Sequence, residues 1–280
     1  MQGKTVVMTG ATSGIGEVAA LKLAAMGARI VFIARDPTRA EATLAALERK
    51  APGLGHRSHQ ADLSLMADTR RIGAAIAESE PRIDALVNNA GALFAERRVT
   101  AEGLELTFAL NHMAYFVLTE ALRERLVGSA PARIVSTSST AHLGVKLDLD
   151  DLQSAKGYNG WKAYACSKLC NILFTRELAR RLAGTGVTAN CLHPGFVASR
   201  FGSESGGWTG RLLPWLQAFA ISSEAGADTI IHLVSSPDVA KVSGEYFAKR
   251  KIVRPSAAAR DDKAAGALWQ ASEALANRSA

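Results

Sequence analysis

The first sixteen residues constrain the fold more than any other stretch of the chain. Thr5-Val6-Val7-Met8-Thr9 is a short β-branched, apolar run, the pattern of a buried strand. It passes directly into Gly10-Ala11-Thr12-Ser13-Gly14-Ile15-Gly16, and residues 17–27 then read as a helix closed by glycine. A strand, a glycine-rich turn and a helix N-terminus in that order build an anion site. Backbone N–H groups converge there and the helix dipole favours negative charge. Glycine lets the chain turn tightly and approach a pyrophosphate closely. The spacing Gly-x-x-x-Gly-x-Gly differs from Gly-x-Gly-x-x-Gly, but its strand–turn–helix setting marks a dinucleotide site.

Strand-like and helix-like segments then alternate as far as Phe247. Further strands are expected at residues 29–34, 56–60, 83–88, 133–137, 187–192 and 244–247. Helices fit between them, including 101–127 and 163–183, and a last helix from 261–262 through Trp269. The pattern predicts an α/β, single-domain Rossmann fold over 1–280: a doubly wound parallel sheet of about seven strands flanked by helices.

The second strand ends in Ala34, followed by Arg35-Asp36-Pro37. An NAD site usually places a carboxylate there for the ribose 2′-hydroxyl. Alanine cannot serve, whereas the Arg35 guanidinium suits a 2′-phosphate. Asp36 is the rival ribose ligand, yet Asp before Pro also reads as a helix N-cap. NADP is therefore favoured over NAD.

Tyr164 and Lys168 stand four residues apart on an expected helix, so both side chains share one face. A phenol titrates near ~10, and a neighbouring cation favours its ionised form. Such a pair can exchange a proton with an alcohol or carbonyl oxygen.

Together these motifs resemble the short-chain dehydrogenases/reductases, in their retinol-dehydrogenase-like branch. The resemblance spans nearly the whole chain. It implies that Gly10, Thr12, Ser13, Gly14, Ile15 and Gly16 hold the cofactor and that Asp62-Leu63 contacts its adenine. Asn89-Ala90-Gly91 resembles the turn that closes the fourth strand, and Pro194, Gly195, Val197 and Ser199 resemble the nicotinamide-side loop. Asn111 matches the catalytic Asn, and Ser139 the catalytic Ser, with Ser138 as the neighbouring alternative. Tyr164 and Lys168 complete the set and also touch the cofactor. Branch features include Ser139-Thr140-Ala141-His142, Tyr158-Asn159 and Gly244-Glu245-Tyr246-Phe247.

The implied reaction is interconversion of an alcohol and an aldehyde or ketone. Tyr164 moves the proton, Ser139 bonds the substrate oxygen, Lys168 lowers the Tyr164 pKa, and Asn111 supports a proton relay. The segment 196–222 carries Phe196, Phe201 and Trp208 among many apolar residues. It follows the sixth strand at the carboxyl edge, where ligands bind in such sheets. It reads as a substrate lid, and Ser139, Phe196, Phe201 and Trp208 are the candidate substrate contacts. A small lipophilic carbonyl or alcohol is the expected substrate, a retinoid among them.

The formal charge of +7 is dispersed, without a nucleic-acid-binding motif, so the cation clusters Arg180-Arg181 and Lys249-Arg250-Lys251 read as solvated surface charge. No nucleic-acid partner and no metal site are expected; His56 and His59 lack further ligands at a recognised spacing. Cys166, Cys170 and Cys191 cannot form a disulfide framework. No run of about 18 apolar residues offers a membrane span, and the first strand starts too early for a cleavable signal. Those features lead to an expected cytoplasmic location, with a homodimer or homotetramer as the expected assembly. Two other readings compete: an idle NADP-sensing module that binds a protein partner, and a protochlorophyllide-reductase-like enzyme.

Overall fold

In the computed structural model, residues 1–195 and 223–278 are described. β1 (Thr5–Thr9) leads into α1 (Gly14–Ala25), β2 (Arg29–Ala34), α2 (Pro37–Lys50), β3 (Arg57–Gln60) and α3 (Met66–Ser79). β4 (Ala85–Asn88) is followed by the single turn α4 (Leu106–Phe108), a π-helical turn (Ala109–Met113) and α5 (Ala114–Gly128). Next come β5 (Ala132–Thr137), α6 (Gly160–Arg181) and β6 (Val187–Leu192). The described chain ends in α7 (Ser223–Ser235), β7 (Tyr246–Ala248), β8 (Lys251–Ile252) and α8 (Asp262–Arg278).

Among the described residues the strands form one sheet in the order β3-β2-β1-β4-β5-β6-β7-β8. The first seven are parallel and β8 pairs antiparallel with β7. Strand alternation explains the two faces. Val6 and Met8 enter the core shared with Ala19, Ala20 and Leu23 of α1 and Ile230 and Leu233 of α7. Val7 points the other way, into the core shared with α3, α5, α6 and α8. The chain builds outward from β1 to β3 and then crosses back to place β4 on the other side of β1. That reversal opens a crevice at the carboxyl ends of β1 and β4, the ligand position in doubly wound sheets.

One expectation needs correction. The helix expected over 101–127 starts only at Leu106. Residues 99–105 instead turn back, with an antiparallel bridge between Val99 and Glu105 and Gly103 at φ +81°. The Glu105 carboxylate then accepts the amides of Thr107 and Phe108, which caps the helix start. Lys249 and Arg250 are exposed, in keeping with surface charge; both take positive φ (47° and 63°) and form the two-residue turn joining β7 to the short edge strand β8. The last helix runs through Trp269 as expected and ends at Arg278, with Asp261 accepting the amides of Lys263 and Ala264 at 3.0 Å each.

Candidate active site

The glycine-rich turn is held by backbone contacts. Gly10 and Gly14 lie at φ +67° and +56°. A Cβ on Gly16 would sit 2.8 Å from the Gly10 carbonyl carbon and 2.5 Å from Asn89 Nδ2, too close for any other residue. Asn89 Nδ2 donates to the Gly10 carbonyl at 3.3 Å, and Thr9 Oγ1 accepts the amides of Asn89 (2.9 Å) and Ala90 (3.0 Å). The ends of β1 and β4 are thereby tied across the crevice. Ser13 precedes α1 but makes no side-chain cap, so its exposed hydroxyl and the first amides of α1 remain on the ligand side. This cradle, which a methyl group would fill, fits a dinucleotide pyrophosphate.

By register Arg35 lies just beyond the β2 residue level with Gly10, and its side chain is exposed. Asp36 is occupied as the cap of α2, with Oδ1 accepting from Thr38 (2.9 Å) and Arg39 (3.2 Å). Its capping reading is the one observed. Asp62 lies two residues beyond β3, where its Oδ1 accepts from the amide and hydroxyl of Ser64, and Leu63 is buried.

The second group gathers where β4, β5, the π turn and α6 meet. Asn111 is fully buried: Oδ1 accepts the Ala92 amide (2.9 Å), and Nδ2 donates to the Ala92 carbonyl (2.9 Å) and Ser167 Oγ (3.0 Å). A Cβ on Gly91 would lie 3.0 Å from Asn111 Oδ1 and 3.2 Å from Lys168 Nζ, so the turn after β4 abuts both side chains. Lys168 Nζ donates to the Thr137 carbonyl (3.3 Å) and stands 5.6 Å from the Tyr164 ring centroid and 5.8 Å from that of Tyr115. Ser139 is half-buried at the end of β5 and its hydroxyl hydrogen-bonds with the Tyr164 phenol. Ser138 donates its buried hydroxyl to the Lys168 carbonyl at 2.7 Å and is thus a brace between β5 and α6.

The electrostatics differ from the sequence expectation. Burial pushes Tyr164 up to about 12, with the Ser139 hydrogen bond pulling the other way. Lys168 does not pull it down; burial lowers Lys168 itself to about 7. Desolvation opposes both charges, and it dominates over a cation placed at the ring face.

Pro194 and Gly195 follow β6, with Gly195 at φ +90° and its amide donating to His193 Nδ1 (3.2 Å). Phe196, Val197, Ser199, Phe201, Trp208 and the whole 196–222 segment lie outside the described residues. Two side chains escaped a functional reading. His142 Nδ1–H donates to the Ser139 carbonyl at 2.7 Å while its Nε2 accepts the Ser256 amide at 3.2 Å. Trp161, 59% exposed, lies 5.9 Å ring-to-ring from Tyr164, a neighbour that a spacing of three on a helix could have shown. Among the described residues there is no metal-binding cluster and no helix long and apolar enough to cross a membrane.

The sequence model of the short chain dehydrogenases matches residues 4–209. The chain belongs to that family. As a short-chain dehydrogenase it is an oxidoreductase of the NAD(P)-using class. It is 40% identical to human retinol dehydrogenase 13 over 98% of this chain and 84% of that relative. Its fold matches a protein from Mycobacterium paratuberculosis at TM-score 0.79, with 32% identity over 99% of this short-chain dehydrogenase and 94% of that chain. The NADP complex of Pseudomonas aeruginosa RhlG matches at TM-score 0.70, with 28% identity over 88% and 94% of the two chains.

Proposed function

We propose that this short-chain dehydrogenase uses NADP(H) to interconvert an alcohol and an aldehyde or ketone on an apolar substrate. The observation that carries the reading is the convergence of Asn111, Ser139, Tyr164 and Lys168 beside the Gly91 turn. Four residues scattered over 58 positions meet in one crevice (168 − 111 = 57 steps). The nicotinamide, when bound, supplies or accepts the hydride at the substrate carbon. In the reducing direction Tyr164 gives its phenolic proton to the substrate oxygen. With a pKa near 12 it arrives protonated at neutral pH. Ser139 shares a hydrogen bond with that phenol and holds the substrate oxygen within its reach. Lys168, poised near 7, re-supplies the proton, and Asn111 fixes the Ala92 and Ser167 side of the cluster.

NADP is preferred because Ala34 offers no carboxylate, Arg35 follows it and Asp36 is engaged as a cap. RhlG, the structural relative, forms an NADP complex. The substrate class rests on the apolar composition of 196–222, on exposed Trp161 beside Tyr164, and on the retinol dehydrogenase relative.

The test is NADPH and NADH oxidation over a panel of short and medium-chain aldehydes, quinones, steroids and all-trans-retinal. Turnover with NADPH on one apolar class supports the reading; tight NADPH binding with no turnover on any compound counts against it. Tyr164→Phe is expected to cut kcat by roughly 10²–10⁴-fold with NADPH affinity retained. Near-normal turnover would remove Tyr164 from the proton transfer. Arg35→Ala is expected to weaken NADPH by about tenfold or more while sparing NADH. Equal loss for both cofactors would refute the 2′-phosphate contact.

A further inference from the structure

The C-terminal helix α8 lies beyond the matched family segment and packs across α6. Its Trp269 stacks on Phe174 (ring centroids 5.8 Å, 13°) and meets Phe116 edge-on at 4.9 Å. Inside this apolar contact sits one polar link. Ser272, fully buried, donates its hydroxyl proton to the Leu268 carbonyl at 2.8 Å. Its oxygen is then the acceptor toward His112 Nε2, also at 2.8 Å. The pairing joins residues 160 apart in sequence. That arrangement corresponds to the Nε2–H tautomer and leaves the buried Nδ1 without a hydrogen-bond partner among the described residues. The ring is fully buried, in contact with Phe108 and Phe174, and burial holds it neutral.

His112 is the residue next to Asn111, and both belong to the π-helical turn Ala109–Met113. Adjacent residues on a helix point in different directions. Asn111 grips Ala92 and Ser167 on the crevice side, and His112 grips α8 on the far side. A π turn is a single-turn departure from the α-helical register and is common at functional sites. Held from one side only, it can relax toward that register and carry Asn111 away from Lys168. Asn171 of α6 braces the site separately. Its Nδ2 donates to the Thr137 carbonyl (3.1 Å), the same oxygen that accepts Lys168 Nζ.

We propose that His112 and Ser272 are positioning residues: a buried latch through which the C-terminal helix holds the Asn111 turn in its working register. The inference rests on the function proposed above for Asn111, Tyr164 and Lys168. Neither latch residue touches the reacting atoms.

Ser272→Ala tests it, because the helix tolerates alanine and only the acceptor for His112 Nε2–H is lost. In the full-length protein, hydrogen–deuterium exchange of the 109–113 amides should speed up by about tenfold or more, the cost of an orphaned buried donor. NADPH oxidation with decanal and all-trans-retinal should show kcat reduced by about tenfold or more at a KM for NADPH within about twofold. Trp269→Leu is the control. It loosens the same helix through the ring contacts with Phe116, Phe174 and Arg181 and leaves the His112–Ser272 pair in place, so it should lower Tm yet leave kcat and 109–113 exchange near wild type. Unchanged exchange in Ser272→Ala overturns the latch, whether or not either aldehyde is turned over. An equal kcat loss in Trp269→Leu also overturns it, since docking of α8 in general would then suffice. If Tyr164→Phe retains activity, the failure belongs to the catalytic reading rather than to the latch.

Discussion

The glycine-rich turn and the Tyr164 cluster face one crevice but are made of opposite materials. The turn is backbone: positive-φ glycines, strand-end carbonyls and the amides of α1, braced by Asn89 and Thr9. Its ligand-binding capacity comes from the absence of side chains. The cluster is side chains, taken out of water at a cost. Burial raises Tyr164 and lowers Lys168, two opposite shifts with one cause. A site made of backbone is stable as folded and is broken by adding atoms. A site made of buried polar side chains is under electrostatic stress and is relieved by removing them.

Gly16→Ala should separate the two regions most sharply. The added methyl would collide with the Gly10 carbonyl and the Asn89 amide, neither of which can move without opening the β1–β4 junction. NADPH affinity is expected to fall by about 100-fold or more, alongside a loss of roughly 1–3 kcal/mol in stability from overpacking. Calorimetric titration and thermal denaturation read both. Affinity within a few fold of wild type would mean that the turn is not the pyrophosphate cradle.

Lys168→Met should do the reverse, abolishing turnover while stabilising the free enzyme. The folded pKa of Lys168 is about 7 against an ordinary value of 10.5, so the unfolded chain binds more protons between those limits. The wild-type protein therefore carries the full charge-burial penalty below pH 7, and the penalty fades as pH rises toward 10.5. Methionine fills the volume without a charge, and the Thr137 carbonyl keeps its bond from Asn171. A gain on the order of 3 kcal/mol at or below pH 7, shrinking as pH rises, is expected from denaturant melts at several pH values. A variant less stable than wild type at pH 7 would show that the ammonium is a net structural support, and the proposed contrast would fail.

The same division explains what could be read in advance. β1 and β2 are visible as bare strings because continuous apolar runs belong to strands buried on both faces. The backbone turn is visible because only glycine satisfies it. The four side chains of the cluster are visible as residue types, through Tyr-x-x-x-Lys and the motifs around Asn111 and Ser139. The expected lowering of Tyr164 gives way to a rise, because a pattern shows that Lys168 is near Tyr164 and not that both are dry. The pairing of His112 with Ser272 left no local signal, since it depends on α8 folding back across α6. Glu105 misled because a helix cap by Glu runs against residue preference.

The smallest effect distinguishes neighbours at the cofactor end. Asp36 adjoins Arg35, and the two make opposite claims on the ribose. In the structure one Asp36 oxygen caps α2 through Thr38 and Arg39, and the other lies 3.6 Å from Arg39 Nε. Asp36→Ala is thus expected to cost about 1 kcal/mol of stability, the usual loss of an N-cap. The NADPH/NADH preference should not change, because the carboxylate works inward on its own helix. Asp36→Asn retains a capping oxygen and should recover most of that stability. A selective loss of NADH affinity in both variants would instead identify Asp36 as a ribose ligand. The cofactor preference would then be a balance between two adjacent side chains rather than the property of Arg35 alone.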